Sequence, residues 1–173
     1  MSTSHKTETY TTIPNEWPLR FEKHSFSAHC YDTTGCSVLY NDEYFVQDSA
    51  EKVRPSSASI GPNYQKGWGT VTYSGIKNFP SPALVKWRSK DGAAHEAKVD
   101  IADIFKDQRI LHNVAREDLP VKTAANVGDP AIILEINNRT INVYMRDVIY
   151  LKDTESRLGK SRDEVILAYS HTY

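Results

Sequence analysis

The chain has 173 residues, a length typical of one domain that buries its own hydrophobic core. Its 21 basic and 22 acidic side chains give a formal net charge of −1, which leaves no electrostatic basis for binding nucleic acid or anionic lipid. Hydrophobic residues make up 39% of the chain, and no apolar run approaches the roughly 20 residues of a membrane helix. The composition therefore predicts a globular protein without a membrane span.

Residues 1–15 are rich in Ser, Thr and charged side chains, which is typical of a flexible tail. The rest of the chain, residues 16–173, is predicted to form a single domain. The N-terminal sequence contains no apolar stretch of the kind found in secretory signals, so the chain as written is expected in the cytoplasm. If a leader is removed from the natural protein, the expected compartment is the periplasm.

Short runs of alternating apolar and polar residues, each ended by turn residues, predict β-strands through most of the domain. The clearest hairpin turn is Asp91-Gly92, which separates two such runs. Three apolar residues at helical spacing predict one short helix at 101–109. The candidate strands are residues 24–31, 36–46, 68–76, 82–89, 93–101, 110–114, 131–137, 140–151 and 165–173.

This order of elements predicts the fold class. About eight short strands, with turns roughly every dozen residues, are typical of an antiparallel β-sandwich with one or two short helices. An α/β fold is disfavoured because no long amphipathic helix alternates with the strands. The fold class is therefore expected to be mainly β.

Both cysteines of the chain, Cys30 and Cys36, lie in the stretch FSAHCYDTTGCSVLY at 26–40. Alternating residues on either side of DTTG predict a β-hairpin. If residues 31–35 form its loop, the two cysteines face each other across the strands at a separation that permits a disulfide. A reducing cytoplasm would keep both as thiols. The pair is therefore predicted to be either a disulfide or a thiol pair.

A metal or catalytic role for this stretch is disfavoured. His29 and Cys30 are adjacent in a predicted strand, so their side chains point to opposite faces and cannot easily bind one ion together. Cys36 needs a nearby base such as His112 or His171 to act as a nucleophile, and nothing in the sequence brings them together. The chain also lacks a nucleophile elbow, a phosphate-binding loop and a dinucleotide fingerprint. No metal, no cofactor and no enzymatic activity are expected.

Acidic and aromatic residues are interleaved in and around the long polar stretch at 47–67. This combination is typical of protein-binding surfaces. Two alternatives remain open: an ordinary loop whose aromatic residues pack on one another, and a small-ligand or carbohydrate-binding module in which Trp68 and Tyr73 form a stacking platform. The candidate partner-binding residues are Asp42, Glu43, Tyr44, Asp48, Tyr64 and Trp68.

Four segments, taken in order, resemble a known family: WPLRFEKHSFSAHCYDTTGCSVLYN, IKNFPSPALVKWRSKDGAAHEAKVDIADIFKD, RTINVYMR and VILAYSHTY. They are similar to small proteobacterial immunity proteins encoded beside effectors of the type VI secretion system, in particular lipase or phospholipase toxins. The resemblance covers residues 17–173, and its motifs are structural rather than catalytic.

The resemblance implies a non-enzymatic inhibitor that binds a cognate toxin and occludes its active site. It implies a protein partner, with neither a small-molecule substrate nor a nucleic acid. Many immunity proteins against lipase toxins are periplasmic lipoproteins. The sequence as written departs from that pattern, since it shows neither an apolar leader stretch nor a lipobox cysteine near its first residues, and a cytoplasmic protein is the expectation unless a leader has been removed.

Overall fold

The computed structural model describes residues 17–69, 73–120 and 128–173, and it arranges them in two β-sheets that share a core. The predicted tail at 1–15 lies outside the described residues. The strands of the described part are β1 Lys23–Tyr31, β2 Thr33–Tyr40, β3 Glu43–Gln47, β4 Tyr73–Lys77, β5 Ala83–Ser89, β6 Ala94–Val99, β7 Ala131–Asn137, β8 Thr140–Tyr150 and β9 Ser161–Thr172.

One sheet has five strands in the order β4-β1-β7-β8-β9, and the other has four strands in the order β3-β2-β5-β6. Neighbouring strands are antiparallel except β1 and β7, which run parallel. This arrangement confirms the predicted mainly-β sandwich with short helices.

The core lies between the two sheets because one face of each strand is apolar. Phe26 of β1 and Leu134 of β7 meet Val38 and Val85 of the opposite sheet in one buried cluster. β7 is buried on both faces over Ala131–Ile136, since a loop covers its outer side as well. The five-stranded sheet therefore has a main core beneath it and a smaller cluster above it.

The predicted hairpin at 26–40 is wrong, because β1 and β2 belong to different sheets. Asp32, with φ 51°, reverses the chain between the two sheets rather than within one. β2 instead forms a hairpin with β3 through Asn41 and Asp42, with φ values of 52° and 61°. Positive φ at both central residues is the geometry of a tight two-residue hairpin, and Asn and Asp tolerate it better than most residues.

Helices are short. α1 spans Ser57–Ile60, α2 spans Ile101–Ile104, and two 3-10 turns occupy Tyr64–Gly67 and Arg116–Asp118. The helix predicted at 101–109 is thus a single turn, which Asp100 caps by accepting a hydrogen bond from the Asp103 backbone N–H at 3.2 Å. The candidate strand at 110–114 is irregular. Within the described ranges, no helix has both the length and the apolar character needed to cross a membrane.

Candidate functional site

Cys30 and Cys36 form a disulfide between the two sheets. Their Cα atoms are 6.7 Å apart, and both side chains are buried. Cys36 is therefore not a free nucleophile. Since the chain reverses between sheets at Asp32, the disulfide links the end of β1 to β2 across the sandwich instead of bridging neighbouring strands of one sheet.

The exposed part of the acidic and aromatic set lies at the β2–β3 turn. Asp42, Glu43 and Tyr44 are all exposed there, and Tyr44 keeps 54% of its accessible area. The turn places them at one end of the four-stranded sheet. These three residues have the accessibility that a binding surface requires.

Tyr44 continues into a row of apolar side chains on the outer face of this sheet. Leu39 of β2 is the register partner of both Tyr44 on β3 and Leu84 on β5. Directly paired residues share a face, so the three side chains lie side by side across three strands. Leu84 is 38% exposed. We call Leu39, Asp42, Glu43, Tyr44 and Leu84 the hairpin surface.

A cleft of about 410 Å³ adjoins the hairpin surface. Its wall away from the hairpin is formed by the segment that follows β4, residues 79–82. His24 holds the two sides together: its Nε2 lies 2.8 Å from the Tyr40 hydroxyl and its Nδ1 lies 2.7 Å from Asn78 Oδ1. Because Asn78 Oδ1 can only accept, Nδ1 donates to it and Nε2 accepts from Tyr40. Burial lowers the pKa of His24, which favours this neutral form.

Asp48 is held in an ion pair and does not belong to the hairpin surface. Its carboxylate accepts hydrogen bonds from Arg54 Nε at 2.8 Å and Arg54 Nη2 at 2.6 Å. Only 7% of the Asp48 side chain is exposed. The same hydrogen bonds raise the pKa of Arg54. The pair fixes the segment after β3, and the Asp48 carboxylate has little surface to offer a partner.

Trp68 is buried, with 2% of its area exposed, and cannot act as an exposed anchor or as a stacking platform for a sugar. Its Nε1 donates to the Tyr31 hydroxyl at 3.0 Å, and its ring stacks on His29 at 5.2 Å. Tyr64 packs edge-on against it at 5.5 Å. The side chain of Tyr73, the other platform residue, lies outside the described residues. Tyr64 and Trp68 therefore behave as packing residues, one of the alternatives open from the sequence.

Tyr64 and Trp68 belong to a second apolar cluster on the outer face of the five-stranded sheet, which we call the outer cluster. Its members are Tyr31, Tyr64, Trp68, Ala131, Ile133 and Tyr144. Burial and the neighbouring Glu135 raise the pKa of Tyr64 to about 12. The near-continuous apolar sequence AIILEIN of β7 is the pattern that could have indicated cover on both faces of this strand.

Two polar side chains beneath the outer cluster were not anticipated from the sequence, the buried Glu135 and the half-buried His29. Glu135 is 1% exposed, and its Oε1 accepts from Asn142 Nδ2 at 2.9 Å. Its Oε2 and the His29 Nε2 atom have no hydrogen-bond partner among the described residues. Burial, reinforced by Arg54, lowers the pKa of His29 to about 4, so its imidazole is neutral. Both atoms are shielded from solvent.

A serine, a histidine and an aspartate also meet in the β5–β6 hairpin. Ser89 Oγ lies 2.8 Å from His95 Nε2 and also donates to Asp91. In a catalytic triad the histidine takes the serine proton and the aspartate binds the other ring nitrogen. Here the Ser89 hydroxyl donates its hydrogen bond to the Asp91 carboxylate and not to the histidine, and Ser89 is 1% exposed. The arrangement stabilises the hairpin turn and does not activate a nucleophile.

The three residues considered for catalysis, Cys36, His112 and His171, do not come together in one site. Cys36 is in the disulfide, while His112 accepts a hydrogen bond from the Val114 backbone at 3.1 Å and His171 packs on Tyr173 at 4.4 Å. Over residues 17–69, 73–120 and 128–173, no three His, Cys, Asp or Glu side chains are grouped in a way that could hold a metal ion.

Comparison with known proteins gives no match to a family model, a curated protein or a solved structure. What the chain does is therefore inferred from its exposed surface and from its sequence pattern.

Proposed function

We propose that this chain is an immunity protein that binds a toxin of the type VI secretion system, of the lipase or phospholipase class, and occludes its active site without catalysis of its own. The observation that carries the proposal is the hairpin surface. It combines an exposed tyrosine, a row of apolar side chains and two carboxylates at one accessible end of the sandwich.

The composition of this surface suits a protein partner. Tyrosine is enriched among residues that dominate binding energy, because its ring offers a large contact area with few rotatable bonds. Leu39 and Leu84 extend the apolar area beside Tyr44. Asp42 and Glu43 lie at the rim, where charges mainly steer association. The matching toxin surface is expected to be apolar at its centre and basic at its edge.

The shape of the hairpin surface also favours inhibition by steric cover. A two-residue turn projects Asp42 from the end of β2, and the bonds that His24 makes hold the adjoining cleft in place. A pre-ordered surface loses little conformational entropy on binding, which favours tight complexes.

The Cys30–Cys36 disulfide supports action in an oxidising compartment. Disulfides persist in the bacterial periplasm and are rare in the cytosol. A lipase toxin delivered to that compartment would meet its membrane substrate there. We therefore propose that the immunity protein acts in the periplasm.

The test is the affinity of the purified chain for the purified product of the adjacent toxin gene, measured by calorimetry. Tyr44→Ala is expected to weaken the complex by about 2 kcal/mol, or roughly 30-fold, if Tyr44 is a central anchor. Asp42→Asn with Glu43→Gln is expected to slow association and reduce its dependence on salt.

Tyr150→Ala is the matched control, because Tyr150 is 52% exposed but lies on β8 of the other sheet. Binding by the control and by Tyr44→Ala with the same affinity as the unmodified chain would remove the hairpin surface from consideration. Absence of any complex with an active, soluble toxin would overturn the proposed function.

A further inference from the structure

The cleft beside the hairpin surface combines apolar walls with a single charge. Its volume of about 410 Å³ is typical of pockets that bind small ligands. Asp42 is the only residue lining it that is charged at neutral pH. The apolar walls are made by Leu39, Phe79, Pro80, Pro82 and Leu84.

The charge of Asp42 is not neutralised within the described part of the chain. Asp42 is exposed at the β2–β3 turn, and its carboxylate takes part in none of the ion pairs or side-chain hydrogen bonds of the described residues. Asp48, by contrast, is paired with Arg54. The cleft therefore has an available carboxylate at its mouth.

The wall formed by residues 79–82 is held in place before any ligand arrives. The side chain of Asn78, just before the wall, donates from Nδ2 to the Phe21 carbonyl at 2.8 Å, and its backbone N–H donates to the Glu22 carbonyl at 3.0 Å. Pro80 and Pro82 restrict the backbone of the wall further, because the proline ring fixes φ. An ordered cleft loses little conformational entropy when a ligand enters it.

We infer that this cleft receives an arginine side chain of the bound partner, with its aliphatic stem against Leu39 and Leu84 and its guanidinium at Asp42. The inference rests on the proposed function, since it names the group that the toxin presents beside the hairpin surface. A long side chain with an apolar stem and a cationic end matches a cleft with apolar walls and one available carboxylate.

Arginine suits the cleft better than lysine. A guanidinium is less strongly hydrated than an ammonium, and it can stack on an aromatic ring such as that of Phe79. Protein interfaces are also enriched in arginine and depleted in lysine.

The first test needs no toxin. N-acetyl-arginine amide is titrated into the full chain, and the methyl resonances of Leu39 and Leu84 are followed by NMR. The dissociation constant is expected to be on the order of 1 mM, and Asp42→Asn should raise it about 10-fold or more. Asparagine tolerates the φ of 61° at position 42, so this variant keeps the turn. N-acetyl-citrulline amide, which has nearly the same shape without the charge, should bind as weakly to the unmodified chain.

The second test uses the purified toxin, with Glu43→Gln as the matched control. Glu43 is exposed next to Asp42 but does not line the cleft. Asp42→Asn should raise the dissociation constant of the complex about 10-fold, mainly through faster dissociation, and Glu43→Gln should raise it by at most about 3-fold. A charge that only steers association would act equally at the two positions.

The two tests separate this inference from the proposed function. Equal affinity for the arginine, citrulline and lysine probes, unchanged probe binding by Asp42→Asn, or no shift of the Leu39 and Leu84 methyl groups at about 10 mM probe would overturn the inference even if the toxin binds. Equal effects of Asp42→Asn and Glu43→Gln on the toxin complex would also overturn it. Absence of a toxin complex, with Asp42-dependent binding of the arginine probe intact, would overturn the proposed function and leave the cleft as an arginine site.

Discussion

Reduction of the Cys30–Cys36 disulfide should lower the free energy of unfolding by a predictable amount. The two cysteines are separated by 6 positions, so the bond closes a loop of seven residues from Cys30 to Cys36 inclusive. The chain-entropy relation gives about 2.4 kcal/mol at 25 °C for a loop of this size. Reduction keeps the same side chains in the core, so this loss reports the covalent link rather than a cavity.

The assay is urea unfolding of the oxidised and reduced chain, followed by tryptophan fluorescence. The same difference should lower the melting temperature by roughly 5–10 °C for a protein of this length. Thiol titration provides the control: two reactive thiols should appear only after reduction and unfolding.

Either of two results would refute this reasoning. Equal stability of the oxidised and reduced forms would mean that the link does not restrict the unfolded chain. Two titratable thiols in the unreduced, unfolded protein would mean that the bond does not form.

Three further changes test other parts of the structure. Trp68→Ala should lower the free energy of unfolding by about 3–5 kcal/mol because it leaves a cavity in the outer cluster, and Trp68→Phe should lower it less. Equal losses for the two variants in denaturant unfolding would contradict this. Burial raises the pKa of Asp147 to about 7, above the value of about 4 expected in the unfolded chain. The contribution of Asp147 to the free energy of unfolding is therefore fully present below about pH 4, where the carboxyl is neutral in both states, and it is lost as the pH rises through 7. Asp147→Asn should therefore flatten the stability–pH curve and stabilise the protein at pH 8, by at most about 4 kcal/mol; an unchanged curve would count against the buried carboxyl. Asn41→Val should lower the free energy of unfolding, followed by thermal unfolding, by about 1–2 kcal/mol, because Asn41 has φ 52° and valine strongly disfavours positive φ. Asn41→Gly should be tolerated, since glycine adopts this conformation readily.

The hairpins were predictable where turn chemistry and strand pattern agree locally. Asp91-Gly92 joins β5 to β6 as expected, with Gly92 at φ 83°. Asn138, at φ 55°, lies in the turn between β7 and β8, which falls in the two-residue gap between the candidate strands at 131–137 and 140–151. Both signals involve residues only a few positions apart, so nothing elsewhere in the chain competes with them.

The prediction of a hairpin at 26–40 was wrong because the same local pattern is compatible with a second structure. Alternating residues on either side of a turn fit a hairpin and also fit two strands that enter opposite sheets. The choice is made by the other neighbours of each strand: β4 and β7 flank β1, while β3 and β5 flank β2, and all of these except β3 are distant in sequence. Pairing between strands far apart in sequence leaves no trace in the alternation of either strand.

The binding residues were predicted only in part, because exposure cannot be read from residue type. Tyr44 and Trp68 both lie in or beside polar segments, yet one is 54% exposed and the other 2%. Trp68 is covered because the outer face of β1 and β7 presents Tyr31 and Ile133 to it. That apolar face is visible in the β7 sequence, but the loop that covers it is not.

The parallel pairing of β1 with β7 sets the order in which the chain can fold. Every residue pair from Ser25↔Ala131 to Tyr31↔Asn137 joins positions 106 apart in the sequence, and β1 is an inner strand of its sheet. The four-stranded sheet needs only residues up to Val99. The five-stranded sheet, by contrast, cannot close until β7 has been synthesised, and contacts of such long range slow folding. A chain that crosses a membrane while it is being made would therefore arrive with β1 still unpaired on its β7 side, and would complete its larger sheet only on the far side.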